Sequence, residues 1–316
     1  MKLLEVKNLT IDFDGKKAVD SASFYLKPGE IVGLVGESGC GKSLTAFSIL
    51  GINPPNSNLS GEILYKGSNL LSLSEEEKRK IRGNKISLIP QDPLSALNPV
   101  FTIGDQISEV LETHKAVSHA DAILMSKNAL ESVNIPNPSQ KLNDYPHQFS
   151  GGMRQRVLIA MALATEPDIL IADEPTTALD VTIQLQILEI MKNLKNKGKA
   201  ILLITHDLGV VAEVCDRVFV MYMGKIVEEA PVNDLFTNPR HPYTIGLLNS
   251  LPDDKKAVLE PISGCPPSLE SIPLGCAFHP RCKHIQERCK NEVPLLYDVK
   301  DSQEHKSRCF LENPGD

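Results

Sequence analysis

The 316-residue sequence is long enough for one large domain or two ordinary ones. An apolar content of 41% and a charged content of 23% are those of a globular protein, and the net charge of -7 argues against a nucleic-acid-binding protein, which would present a basic face. The longest apolar runs, such as AILLIT from Ala200, are too short to cross a bilayer. The N-terminal stretch MKLLEVKNLTIDF alternates apolar and polar residues, which predicts a first strand and not a signal peptide. We therefore expect a cytosolic protein.

The first 230 residues alternate short β-rich runs with longer helical patterns, which predicts an α/β layer architecture. Buried strands are expected at EIVGLVG (30–36), KISLIP (85–90), DILIAD (168–173) and AILLIT (200–205). A mostly helical stretch from about residue 74 to 165 predicts an inserted helical subdomain, and DRVFVMYMGKIVEEA predicts a closing hairpin. Eleven of the 22 prolines lie in the last 86 residues. Residues 231–316 are therefore expected to form an appended module with few regular elements and little core of its own.

The sequence GESGCGKS (36–43) fits the pattern G-x-x-x-x-G-K-[ST] and lies between a predicted strand and a predicted helix, as a phosphate-binding P-loop must. Its glycines let backbone N–H groups turn toward phosphate oxygens, and the helix adds its positive N-terminal end. We expect Lys42 to hold the β- and γ-phosphates and the Ser43 hydroxyl to bind Mg²⁺. A chance glycine-rich turn is the alternative. The other expected nucleotide-binding positions here are Gly36, Ser38, Gly39, Cys40, Gly41 and Leu44, with the Cys40 side chain itself incidental.

The stretch ILIADEP adds two carboxylates at the end of a predicted buried strand. Asp173 can reach the Mg²⁺ shell, and Glu174 is placed to accept a proton from the attacking water. A single carboxylate at a strand end could be structural. Two in succession before a proline turn favour catalysis.

The stretch FSGGMRQRVLIAMALA (149–164) places Ser150, Gly151 and Gly152 directly before an amphipathic helix. Free N–H groups at a helix N-terminus form a second phosphate-binding geometry. Ser150 could instead be only a helix N-cap, but two successive glycines are costly for a cap and favour a ligand contact. Together with the P-loop, these motifs resemble those of ATP-binding cassette (ABC) ATPases.

The resemblance implies the ABC-ATPase fold: a RecA-like P-loop core with an antiparallel β-subdomain and a helical signature subdomain. It also implies that Ser150 and Gly152 contact the γ-phosphate bound to the opposite subunit, so that two cassettes meet head to tail. The commonest family signature is LSGGQ. Here Phe149 and Met153 replace its ends, which leaves Met153 without an assigned polar contact.

Further positions match the family one by one. Gln91 resembles the Q-loop glutamine that senses Mg²⁺ and the membrane partner, and Asp180 resembles the loop through which cassettes communicate. His206 resembles the switch histidine that contacts the γ-phosphate and holds the attacking water. Phe13 is the candidate for stacking on adenine, although any strand aromatic could belong to a core. Glu174, His206 and Gln91 thus form the expected catalytic set.

The resemblance narrows to the D-type ATPase subunit of bacterial and archaeal oligopeptide/dipeptide importers. The stretches that carry it are IPQDPLSALNPVFTIGDQISE, YPHQFSGGMRQRVLIAMALATEPDILIADEPTTALDVTIQLQIL, NPRHPYTIGLLNSLP and GCAFHPRC. It implies peripheral attachment to the cytoplasmic face of the membrane, beneath two permeases, with a related F-type ATPase or a second copy of the chain as partner and a substrate-binding protein outside. Two alternatives stay open: a sister importer for nickel or another small solute, and a soluble ABC ATPase in iron–sulfur assembly, translation or repair.

Four cysteines in the tail, Cys276, Cys282, Cys289 and Cys309, predict a metal site, since disulfides are rare in cytosol. Their spacing lacks the tight C-x₂₋₄-C pairs of zinc sites, whereas a [4Fe-4S] cluster takes four thiolates at varied spacing. On a helix, Cys282 and Cys289 would project from one face. The family resemblance also points to a [4Fe-4S] cluster, with Zn²⁺ as the alternative. The reserve ligands for zinc are His279, His284 and His305, while Cys265 and Cys215 are expected not to bind.

Overall fold

A computed structural model describes residues 1–177, 179–251, 262–300, 302 and 304–312. The chain divides into two compact units. The first, here the helical unit, comprises Met1, Lys27–Glu30 and Ser72–Leu203. The second, here the P-loop unit, comprises Lys2–Leu26, Ile31–Leu71 and Ile204–Asp316. The predicted boundary at residue 230 stays a prediction.

The P-loop unit is built around nine strands in its described part. They are β1 (Leu4–Phe13), β2 (Lys16–Leu26), β3 (Ile31–Val35), β4 (Asn58–Tyr65), β5 (Ser68–Asn69), β9 (Arg217–Tyr222), β10 (Lys225–Pro231), β11 (Tyr297–Asp298) and β12 (Lys306–Ser307). An antiparallel sheet has the order β2-β1-β4-β5. Strand β3 pairs in parallel with β9, and β9 pairs antiparallel with β10, which confirms the predicted hairpin. All five residues of β3 are buried, as expected of a parallel strand covered on both faces.

The helices of the P-loop unit are short. They are α1 (Lys42–Leu50), α9 (Leu208–Val214), α10 (Val232–Thr237) and α11 (Pro242–Asn249). Beyond residue 262 the described chain holds two 3₁₀ turns, at His279–Arg281 and Glu287–Lys290, and the two-residue strands β11 and β12. The described residues beyond 262 thus hold few regular elements, while the appended module predicted for residues 231–316 stays a prediction. Cys282 follows the first turn and Cys289 lies in the second, so the two cysteines are not on one helix.

The helical unit holds α2 (Glu75–Ile81), β6 (Ile86–Ile89), α3 (Pro93–Ala96), α4 (Ile103–Lys115), α5 (His119–Ser132), α6 (Pro138–Lys141), α7 (Gly151–Leu163), β7 (Ile169–Asp173) and α8 (Val181–Asn196). Strand β8 (Ala200–Thr205) contributes its first four residues. Strands β6 and β7 pair in parallel. Helix α4 buries Ile103, Ile107 and Leu111 on one stripe, and a capping box between Thr102 and Asp105 starts it. The predicted strands are confirmed, as is a mostly helical stretch over residues 74–165.

No helix within the described residues is both long enough and apolar enough to span a bilayer.

Candidate functional site

The P-loop connects the end of β3 to the start of α1 and closes around its own lysine. The Lys42 side chain is buried, and its Nζ donates to the carbonyl oxygens of Gly36 at 2.7 Å and Glu37 at 3.0 Å. Ser43 follows in the first turn of the helix and is half-buried. An ammonium group and a helix N-terminus therefore sit on one short loop, which is the arrangement that binds phosphate.

Glycine is required in this loop for two different reasons. A Cβ on Gly36 would lie 2.2 Å from the Met221 carbonyl oxygen, so the loop packs too closely on β9 for any side chain. Gly39 has φ +79, a left-handed conformation, and a Cβ there would meet nothing within 4 Å. The loop backbone is thus tightly backed on one side and open at Gly39, which fits a phosphate group approaching from the open side.

The remaining predicted residues of the P-loop unit differ in how exposed they are. Ser38 is exposed and Leu44 is half-buried. Cys40 is buried with its Sγ 3.8 Å from Lys42 Nζ, and burial raises the pKa of its thiol, in keeping with an incidental filler. Phe13 ends β1 half-buried, and His206 is exposed directly after β8.

In the helical unit, Glu174 is held by two donors. Its Oε2 accepts from Gln91 Nε2 at 2.9 Å and from Thr177 Oγ1 at 3.0 Å. Its backbone has φ +47, a left-handed conformation that costs a non-glycine residue about 1–3 kcal/mol and is concentrated at functional sites. Asp173, the last residue of β7, is buried. The structure therefore joins Gln91 to Glu174, which the sequence predicted only as separate motifs.

Ser150 caps helix α7: its Oγ accepts from the Met153 backbone N–H at 3.3 Å. A Cβ on Gly152 would lie 3.0 Å from the Ile183 side chain, so this glycine permits close packing on α8, whereas one on Gly151 would meet nothing within 4 Å. Asp180 caps α8 by accepting from the Ile183 N–H at 3.0 Å. The cap that was the alternative for Ser150 is present, and contact with a ligand stays a prediction.

The predicted [4Fe-4S] cluster is wrong, and so is its zinc alternative. Among the residues that the structure describes, no group of three or more His, Cys, Asp or Glu side chains is placed to hold a metal ion. The four thiols do line one cavity, of about 20 Å³, which is room for about one water molecule. Burial raises the pKa of Cys276 to about 11 and that of Cys309 to about 12. The predicted ligands that this corrects are Cys276, Cys282, Cys289 and Cys309.

The reserve histidines have other roles. His305 is fully buried, with its Nε2 2.8 Å from Glu228 Oε1, and His279 Nδ1 lies 3.0 Å from the Cys276 carbonyl oxygen. Cys265 is exposed and Cys215 is buried.

Two residues near the P-loop were not predicted from the sequence. Tyr243 and Arg281 both contact Glu37, the second residue of the P-loop. Their separations from Glu37 along the chain are 206 and 244 residues, and no local motif indicates such contacts. In the sequence, Arg281 lies directly before Cys282 among other charged residues, and nothing in that pattern distinguishes a buried arginine from a solvated one.

The P-loop unit has a phosphate-binding loop after a parallel strand, and the helical unit has a carboxylate joined to a glutamine at a strand end. Each of these features is typical of P-loop nucleotide hydrolases. A family model described as "ABC transporter" matches residues 19–177, and one described as "Oligopeptide/dipeptide transporter, C-terminal region" matches residues 227–289. The chain belongs to the ABC transporter family, as an ATP-binding subunit of the oligopeptide/dipeptide type. The predicted family is thereby confirmed.

Two individual relatives are similar in sequence to this chain over nearly its whole length, and a solved structure is similar to most of it. The dipeptide transport ATP-binding protein DppD of Bacillus subtilis is 51% identical, over 99% of this chain and 95% of its own. The oligopeptide transport ATP-binding protein OppD of Salmonella typhimurium is 48% identical, over 93% of this chain and 90% of its own. The dimeric structure of MJ0796, a bacterial ABC transporter cassette, superposes with a TM-score of 0.65 at 29% identity and covers 72% of this chain and 98% of that one. The ABC-cassette fold is thereby confirmed.

Proposed function

We propose that this chain is the ATP-hydrolysing subunit of an importer that couples ATP binding and hydrolysis to uptake of di- or oligopeptides. The observation that carries the proposal is the sequence similarity to dipeptide and oligopeptide transport ATP-binding proteins. They are 51% and 48% identical to this chain over 99% and 93% of its length, which includes the C-terminal region. This favours peptide over nickel transport and over a soluble non-transport role.

Five of the predicted site residues then have a task in hydrolysis. Lys42 and the loop N–H groups bind the β- and γ-phosphates, and Phe13 stacks on adenine. Glu174 accepts the proton of the attacking water, Gln91 orients Glu174 through its hydrogen bond, and His206 contacts the γ-phosphate.

Bound Mg²⁺ would neutralise negative charge on the phosphates of the nucleotide. The side chains that would hold it are Ser43, Gln91 and Asp173, and all three offer the oxygen donors that this hard cation prefers.

We further propose that two cassettes act head to tail, the second being an F-type ATPase or another copy of this chain. Two permeases and a substrate-binding protein complete the importer, with this chain attached peripherally at the cytoplasmic face. Residues 1–230 would form the cassette, with its helical subdomain at 74–165, and residues 231–316 a proline-rich, cysteine-rich C-terminal module. The separate C-terminal family model supports that division.

The transport assignment predicts that the chain co-purifies with two permease chains when all are expressed together. ATP hydrolysis by the membrane-reconstituted complex should rise when a peptide-loaded binding protein is added. Stimulation by a nickel-loaded binding protein and not by a peptide-loaded one would move the assignment to the sister importers. ATPase activity that no permease changes would contradict the transport role.

The head-to-tail arrangement predicts complementation between two inactive variants of a self-pairing chain. Ser150→Arg should block the γ-phosphate site completed by that serine, and Lys42→Ala should block its own P-loop. In a mixed pair, both defects fall on one site and the other is intact. An equimolar mixture should recover about a quarter of wild-type hydrolysis, because half of random pairs are mixed and each keeps one of two sites.

The matched control for that experiment is Ser118→Arg. Ser118 is also an exposed serine N-cap, on α5, so its replacement loses the same kind of helix cap away from the motif. The Ser118→Arg variant should hydrolyse ATP by itself, with no second variant needed to restore activity. A mixture of Ser150→Arg and Lys42→Ala chains that pairs yet stays inactive would show that Ser150 acts on its own chain's site.

A further inference from the structure

Glu37, the second residue of the P-loop, is held from outside the loop by two residues of the C-terminal region. Its backbone N–H donates to Tyr243 Oη at 2.8 Å. Its carboxylate accepts from Arg281 Nη1 at 2.6 Å and from Nη2 at 2.9 Å. Both the main chain and the side chain of one P-loop residue are thus fixed by residues that lie outside the loop motif itself.

The Arg281 side chain is buried and held by several hydrogen bonds. Its side chain is 5% exposed, its Nε donates to the Ser263 carbonyl oxygen at 3.1 Å, and Nη1 also lies 3.4 Å from Tyr222 Oη. A buried guanidinium requires a partner charge, and the two-pronged bond to Glu37 supplies it in a geometry that only arginine can make. The Arg281 guanidinium is therefore a fixed counter-charge for the Glu37 carboxylate.

Tyr243 is placed just as firmly. Its side chain is fully buried, and its ring lies 4.6 Å from the ring of Tyr222 and 5.5 Å from that of Phe278. These three rings come from α11, the end of β9 and the tail. Close packing of large rings allows the Tyr243 hydroxyl little movement, so it is a rigid acceptor for the Glu37 N–H.

Glu37 in turn contacts the phosphate-binding lysine. The Glu37 carbonyl oxygen accepts from Lys42 Nζ at 3.0 Å. A displaced Glu37 would move the Lys42 ammonium, and an unpaired Glu37 carboxylate would repel the phosphates of an incoming nucleotide. We propose that Arg281 and Tyr243 are positioning residues through which the C-terminal region sets the affinity of the P-loop for ATP. The inference rests on the proposed ATPase function and adds a role that the cassette motifs do not contain.

The test measures binding of MgATP to the full-length chain. Arg281→Gln should raise the Kd for ATP on the order of tenfold, within the range typical of coupling between two sites. The double variant Glu37→Gln with Arg281→Gln should bind ATP better than Arg281→Gln alone, because no unpaired carboxylate then faces the phosphates. Tyr243→Phe, which keeps the ring and removes only the hydroxyl, should raise the Kd about threefold. Rescue by the second substitution is a result that simple loss of tail packing would not produce.

Arg288→Gln is the matched control, since Arg288 lies in the same tail but donates to the Phe310 carbonyl oxygen and stacks on the Phe310 ring. It should bind ATP like the wild type. Wild-type affinity in both Arg281→Gln and Tyr243→Phe would overturn the inference, as would equal weakening by Arg281→Gln and Arg288→Gln without rescue. If Arg281→Gln does not fold by circular dichroism, Tyr243→Phe decides alone. A wild-type chain that binds no ATP would instead refute the proposed function.

Discussion

Replacing Glu174 with glutamine is expected to lower steady-state ATP hydrolysis by about 100- to 10,000-fold while ATP affinity stays within about twofold of the wild type. The amide has nearly the shape of the carboxylate, and its oxygen can still accept one of the hydrogen bonds from Gln91 and Thr177. It cannot accept the proton of the attacking water. The variant should therefore still bind ATP but hydrolyse it very slowly. It should accumulate as a closed pair of cassettes with ATP bound between them.

The measurement is single-turnover hydrolysis beside equilibrium binding of MgATP, with size-exclusion chromatography to detect the trapped pair. Glu189→Gln provides the control, because Glu189 is an exposed glutamate on α8 that undergoes the same chemical change. It should turn over ATP at the wild-type rate. Near-normal turnover in the Glu174→Gln variant would remove Glu174 from the role of general base.

Lys42→Ala is expected to act on binding itself and to raise the Kd for ATP about 100-fold, since two charge-assisted contacts to phosphate are lost. The Lys42 ammonium is already buried against the Gly36 and Glu37 carbonyl oxygens. Its removal therefore also leaves the loop without its internal donor. The loss should be largest for ATP, smaller for ADP and smallest for AMP, because the expected contacts are to the β- and γ-phosphates.

Isothermal titration with the three nucleotides checks this order. Lys290→Ala is the control, since Lys290 is an exposed lysine of the same unit that pairs with Glu287. It should leave all three affinities unchanged. A Lys42→Ala chain that binds ATP as tightly as the wild type would contradict the P-loop assignment, and equal weakening of AMP and ATP would indicate a collapsed loop.

The tail cysteines show where reasoning from spacing failed. Four thiols in a short stretch predicted a metal cluster, yet spacing along an irregular chain does not fix distances in space. Two short 3₁₀ turns replace the single helix that would have put Cys282 and Cys289 on one face. The cavity they share with Cys276 and Cys309 has room for about one water molecule. Burial raises the pKa of the Cys276, Cys282 and Cys309 thiols, and this burial depends on packing that the sequence does not display.

The sequence by itself determined features that are made of contiguous residues. A P-loop consists of contiguous residues between one strand and one helix, so Lys42 and Ser43 could be placed from their spacing alone. The same holds for Asp173 and Glu174 at the end of a buried strand. Buried apolar runs also predicted β3, β6, β7 and β8, because a strand covered on both faces is apolar throughout.

The tertiary structure alone decided the contacts between distant segments. Gln91 and Glu174 are 83 residues apart in the chain and share a hydrogen bond, and Glu37 and Arg281 are 244 apart and share two. Such contacts depend on which side chains become buried together. A buried arginine must meet a carboxylate, but the sequence does not show which arginine is buried, and Arg281 looks like its solvated neighbours until the chain has folded.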